Sequence, residues 1–185
     1  MKSVVKTVAA FGIAALMSVS AFAQDETVMV GGAPMYPTKN IVQNAVNSKD
    51  HTTLVAAVKA AELVSTLESA GPFTVFAPTN KAFDKLPKGT VETLLKPENK
   101  SALQGVLTYH VVPGRIGSAE LAKMIMDGNG KAMLKTAAGG TLTASMKGKK
   151  VVIMDEKGGS SEVTIKDVNQ SNGVIHVVDA VLLPK

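Results

Sequence analysis

Cysteine is missing from all 185 positions. Disulfides, thiolate catalysis, cysteine-ligated metals and an N-terminal lipid on cysteine are excluded together. Stability must come from packing and hydrogen bonds alone. Tryptophan is missing too, and aromatics make up only 4%, so there is little on which to stack bases or sugars. Net charge is modest at +5, and falls to +3 once Lys2 and Lys6 of the leader described below are set aside. A balance that weak does not argue for a nucleic-acid partner. No apolar run reaches the ~20 residues that a membrane span requires. Also missing are a Gly-x-Ser-x-Gly elbow, a phosphate loop and a dinucleotide fingerprint.

What is present begins with a leader. Lys2 and Lys6 precede the apolar Val8–Phe22, and Ala21-Phe22-Ala23 has the small-x-small form of a cleavage site. Residues 1–23 are expected to be a signal peptide, leaving a secreted or periplasmic protein without stable membrane insertion. Residues 24–36, with Gly31-Gly32 and Pro34, read as an exposed, loosely ordered arm. Residues 37–185 read as one globular domain, for which 45% hydrophobic content provides an ample core.

The domain is organised around Gly71–Pro87, GPFTVFAPTNKAFDKLP. Phe73–Ala77 has strand character, and Pro78 ends the strand by withholding a donor. Thr79 or Asn80 then caps a helix that Pro87 stops. Upstream, Asn40 caps one helix and Thr52 or Thr53 begins another, running to Glu68 with a kink. Downstream, Thr90, Pro97 and Ser118 mark three further helix starts. From Lys131 the period changes to alternation, with turns at Gly148 and Gly158-Gly159. Val174–Leu183 is apolar on both faces and is placed centrally. Helices first and antiparallel hairpins last describe an α+β domain.

His51, His110 and His176 are too widely spaced for a recognisable metal motif. They read as two structural histidines and one exposed one, with His110 hydrogen-bonded to backbone near the Phe73–Asn80 turn. Asp84, Asp167 and Asp179 lie on different elements, and no pair is set up for acid–base work. Met124, Met126, Met133, Met146 and Met154 fall within helix or strand patterns, not Met-x-x-Met clusters, so core packing is expected rather than copper carriage. Lys147, Lys149 and Lys150 flank a hairpin turn as a solvated tip.

Three stretches, Gly71–Pro87, Leu107-Thr-Tyr-His-Val-Val-Pro113 and Ser171–Pro184, resemble the signatures of the fasciclin (FAS1) domain, in the family's order and spacing. The resemblance implies a wedge-shaped β-sandwich with helices packed over one edge. It also implies an extracellular adhesion module that is not an enzyme and needs no cofactor or metal. Animal members carry a Tyr-His motif associated with integrin binding, which Tyr109-His110 matches. A second motif, Asp-Ile, corresponds to Asp167-Val168, with Asn169 in place of an apolar residue. Tyr109, His110, Asp167 and Val168 are therefore the candidate binding residues, although Tyr109 and His110 favour a structural role. The implied partner is a cell-surface protein or polysaccharide. The alternatives are a periplasmic small-molecule or polysaccharide carrier, which would use the cleft between sheet and helices, and an envelope hydrolase.

Overall fold

The computed structural model describes residues Glu26–Lys185. The expected signal peptide lies outside them. The described chain opens with an antiparallel hairpin, β1 (Val28–Val30) and β2 (Ala33–Met35). Gly31 and Gly32 form its turn at positive φ, a conformation glycine adopts cheaply. Val30 and Met35 are each only 3% exposed. The expected loose arm is thus a pinned hairpin: one apolar side chain on each strand enters the core, and Lys49 N donates to Gly31 O (3.2 Å).

Asn40 caps α1 (Ile41–Ala45) in a capping box with Gln43. Glu62, at φ +56°, separates α2 (Thr52–Ala60) from α3 (Val64–Glu68), which is the kink read from sequence. β3 (Phe73–Pro78) follows, and Thr79 caps α4 (Asn80–Asp84), its Oγ1 accepting from Ala82 N at 3.3 Å. The residue capping α5 (Thr90–Leu94) is Gly89, not Thr90. A single 3₁₀ turn from Pro97 leads into α6 (Lys100–Tyr109), which passes directly into β4 (Val111–Pro113). After α7 (Ser118–Asp127) come β5 (Lys131–Lys135), β6 (Thr141–Lys147), β7 (Lys150–Met154), β8 (Ser160–Gln170) and β9 (Gly173–Val178). No helix among the described residues is long and apolar enough to cross a membrane.

Seven strands pair in the order β4-β3-β9-β8-β7-β6-β5. β3 and β9 run parallel, and the other neighbours run antiparallel. β8 belongs to both halves. Its first residues pair with β7 and the rest with β9, with register shifts on either side of Ile165. Such bulges bend a strand, so one ladder folds into two layers. β9 is central, as its two apolar faces imply, with every residue buried, but it stops at Val178.

Neighbouring residues of β3 point to opposite faces and so divide the interior. Val75 joins Leu54, Val58, Leu107, Val168 and Ile175 beneath the helices. Phe76 joins Tyr109, Leu121, Leu142, Ile153 and Val178 between the sheet layers. This is the expected α+β sandwich.

Candidate binding site

The three motif stretches converge on β3. Val111–Pro113 pairs with it on one side and Gly173–Val178 on the other. Asparagines fasten both ends. Asn172 Oδ1 accepts from Ile41 N (3.1 Å), while its Nδ2 donates to Leu67 O (2.8 Å) and Ser69 O (2.9 Å). One side chain therefore serves the start of α1 and the end of α3. Asn80 Oδ1 accepts from Thr53 N (3.0 Å) and Thr52 Oγ1 (3.2 Å), and its Nδ2 donates to Lys49 O (2.8 Å). Asn172-Gly173 is a pair that can take a left-handed turn cheaply, but Gly173 does not. It is extended instead, and a Cβ there would lie 2.2 Å from Phe73 O, so the close approach of β3 is what requires glycine.

Tyr109, at the end of α6, is fully buried between the sheet layers. Its hydroxyl donates to Thr141 O (3.0 Å) and accepts from Glu156 N (3.1 Å). Burial pushes its pKa up. His110 is 3% exposed, and both of its ring nitrogens are engaged. Nδ1–H donates to Val106 O (2.8 Å) and Nε2 accepts from Leu182 N (3.0 Å). The ring was expected to bond backbone near the Phe73–Asn80 turn and does not; only the main-chain carbonyl of His110 meets that segment, accepting from Phe76 N (2.9 Å). Desolvation lowers the imidazole pKa to about 4, against smaller opposing effects from Val106 O and Asp155.

Asp167 sits on the bent part of β8 at φ +57°. The sequence reading gave the capping of α7 to Ser118. In the structure Ser118 is the first helical residue, and Gly117 before it offers no side chain. Asp167 reaches across from β8 instead. Its Oδ1 accepts from Ser118 N (2.6 Å) and its Oδ2 from Ser118 Oγ. A carboxylate thereby meets the positive end of α7. Val168, next to it, is 1% exposed in the core under the helices. Behind Asp167, its own N–H donates to His176 Nδ1 (3.3 Å), while His176 Nε2–H donates to Ile116 O (2.9 Å). The His176 ring stacks on Phe76 with centroids 5.7 Å apart.

This arrangement yields a paired prediction. Asp167→Ala removes the cap but keeps a left-handed backbone that alanine tolerates poorly, and should cost about 2 kcal/mol. Asp167→Gly loses the same cap without that strain and should cost about 1 kcal/mol less. Urea unfolding of the two variants checks the order.

The fasciclin domain family model matches residues 49–184. The chain belongs to the fasciclin family. It is 46% identical to protein sll1483 of Synechocystis over 94% of this chain and 91% of that one. It is 35% identical to immunogenic protein MPB70 of Mycobacterium bovis, over 76% of this chain and 66% of that one. A solved FAS1 domain pair from the insect cell adhesion molecule fasciclin I superposes with a TM-score of 0.70 at 19% identity, covering 78% of this chain and 51% of the pair. This fasciclin domain thus spans about half the length of that two-domain structure.

Of the four candidate binding residues in this fasciclin domain, Tyr109, His110 and Val168 are closed off and Asp167 is half-buried on capping duty. One of the three histidines was expected to be exposed, but all three are buried; His51 is 3% exposed, with Ser48 Oγ 2.9 Å from its Nδ1. The methionines depart furthest from expectation. Met126 (71%), Met133 (74%), Met146 (42%) and Met154 (41%) are exposed, not core. The signal was available: Met133 shares its strand face with Lys131 and Lys135, and Met154 with Lys150.

Proposed function

We propose that this fasciclin domain is an exported, non-catalytic binding module. It engages a cell-surface or extracellular-matrix partner, protein or polysaccharide, through an exposed face, after a leader covering residues 1–23 is removed. Residues 37–185, together with the hairpin before them, form the working unit. The observation that carries this reading is the match of the fasciclin domain model to residues 49–184; the burial of Tyr109, His110 and Val168 bears on where a partner would touch. These side chains fill the core or bond backbone, so contact with a partner falls to other surface. The motif then matters because it builds the shape. The description of fasciclin I as an insect cell adhesion molecule supports the adhesive sense for this relative. His110 and His176 support a non-catalytic reading, since each gives both ring nitrogens to the framework.

The test is a titration of labelled mature protein onto whole cells and onto immobilised anionic polysaccharide at physiological salt. Saturable binding, displaced by unlabelled protein, is expected. Binding that never saturates, or turnover of ester or glycoside substrates, would overturn the reading.

A carrier role has one observation in its favour. An apolar cavity of about 60 Å³ lies between the hairpin, the first helices and β3, and His51 is among its lining residues. An engineered cavity that binds benzene measures ~150 Å³, so this one is too small for most cargo without movement of the helices. Small apolar compounds are expected to leave the melting temperature unchanged.

A further inference from the structure

The exposed methionines do not lie at random. β5, β6 and β7 place Met133 opposite Thr143, and Thr143 opposite Met154. Directly opposed residues in an antiparallel pair share a face. Met133 and Met154 therefore flank the short Thr143 side chain on the outer face, their Cβ atoms roughly 10 Å apart. Each thioether hangs on three rotatable bonds and can lean over Thr143 toward the other. α7 packs along β5 and adds Met124 to the same surface groove, which these three methionines line together with Asp127 and Lys131. Met133 and Met154 are 74% and 41% exposed, while Met124 is partly buried against the core between the sheet layers.

The geometry points to a binding site for a soft monovalent metal ion, Cu(I) or Ag(I), held by the thioethers of Met124, Met133 and Met154. Thioether sulfur is a soft donor that selects such ions over hard divalent ones. Among the described residues, no group of three His, Asp or Glu side chains is arranged to hold a metal ion. The thioethers are therefore the donors that distinguish this groove. Asp127 and Lys131 both line the groove, so their charges offset one another and the thioethers supply the selectivity. Met126 lies on α7 and Met29 on the N-terminal hairpin, and neither lines the groove. Both are exposed and serve as internal controls.

The experiment uses the mature protein, with methionine methyl groups labelled for NMR and Ag(I) as a probe that does not change oxidation state. Saturation at one equivalent is expected, with the methyl signals of Met124, Met133 and Met154 shifting and those of Met126 and Met29 static. Competition against a chromophoric Cu(I) chelator gives the affinity. Met133→Leu and Met154→Leu preserve side-chain volume. Each should weaken binding about tenfold or more, because each removes one of three soft donors, whereas Met126→Leu should leave it unchanged. Shifts spread evenly over all exposed methionines would overturn the site. So would an affinity untouched by either groove substitution, or Zn(II) displacing Ag(I). Cell binding is a separate readout, so failure of the metal site would leave the adhesive reading standing, and the reverse also holds.

Discussion

Asn172→Ala should destabilise the protein by roughly 3–5 kcal/mol, one of the largest losses open to a single surface-adjacent side chain here. Three backbone groups lose their partner at once: the N–H of Ile41, which is itself buried, and the carbonyls of Leu67 and Ser69. The buried Ile41 N–H keeps its desolvation cost in full, and the half-buried Leu67 and exposed Ser69 carbonyls keep only the part that water does not restore. In a domain of this size the melting temperature should fall by about 10 °C or more. Asn172→Asp separates the contributions. It keeps an acceptor for Ile41 N but sets an oxygen against the two carbonyls, so it should be no more stable than the alanine variant. Thermal melts of the three proteins decide the matter. An aspartate variant as stable as the parent would show that the two Nδ2 bonds contribute little.

The second large effect is acid sensitivity. Burial lowers the pKa of His51, His110 and His176, and His110 reaches about 4. The fold therefore holds these rings neutral, whereas the unfolded chain protonates them near 6.5. Protons bind preferentially to the unfolded state, so stability is fully present above pH 6.5 and drains away as pH falls toward 4. His110 alone should account for about 3 kcal/mol of that loss. His110→Leu gives up two buried hydrogen bonds and should be less stable at pH 7, by about 3 kcal/mol. Its stability should also fall less steeply between pH 6.5 and 4. Urea titrations across that range measure both. A parallel pH dependence in parent and variant would mean that His110 is not the titrating group.

Much of this fold was legible because its local signals agree with its global arrangement. Phe73–Pro78 announces its strand by alternation and its end by proline, and Thr79 follows as a cap. Asn40 and Gln43 spell out a capping box. The double apolar face of Gly173–Val178 places it in the middle of the sheet. Two of the misreadings share a cause: a distant part of the chain supplies what the local sequence does not show. Asp167 caps α7 from β8, and the local serine is merely the first helical residue. The N-terminal hairpin holds because Val30 and Met35 find a core built by residues much later in the chain. Met133 and Met154 look like core by hydropathy alone, and only strand parity with the neighbouring lysines reveals their outward face. The candidate site was the least legible part. A Tyr-His pair associated with adhesion carries no local mark that both rings point inward.

The most direct test separates framework from contact at Tyr109. Tyr109→Phe removes the hydroxyl that bridges Thr141 O and Glu156 N while keeping the buried ring. It should lower stability by about 1–2 kcal/mol. At a temperature where parent and variant are both fully folded, their dissociation constants for whole cells should be equal. A variant that melts with the parent yet binds markedly more weakly would place Tyr109 at the contact surface and contradict the framework role.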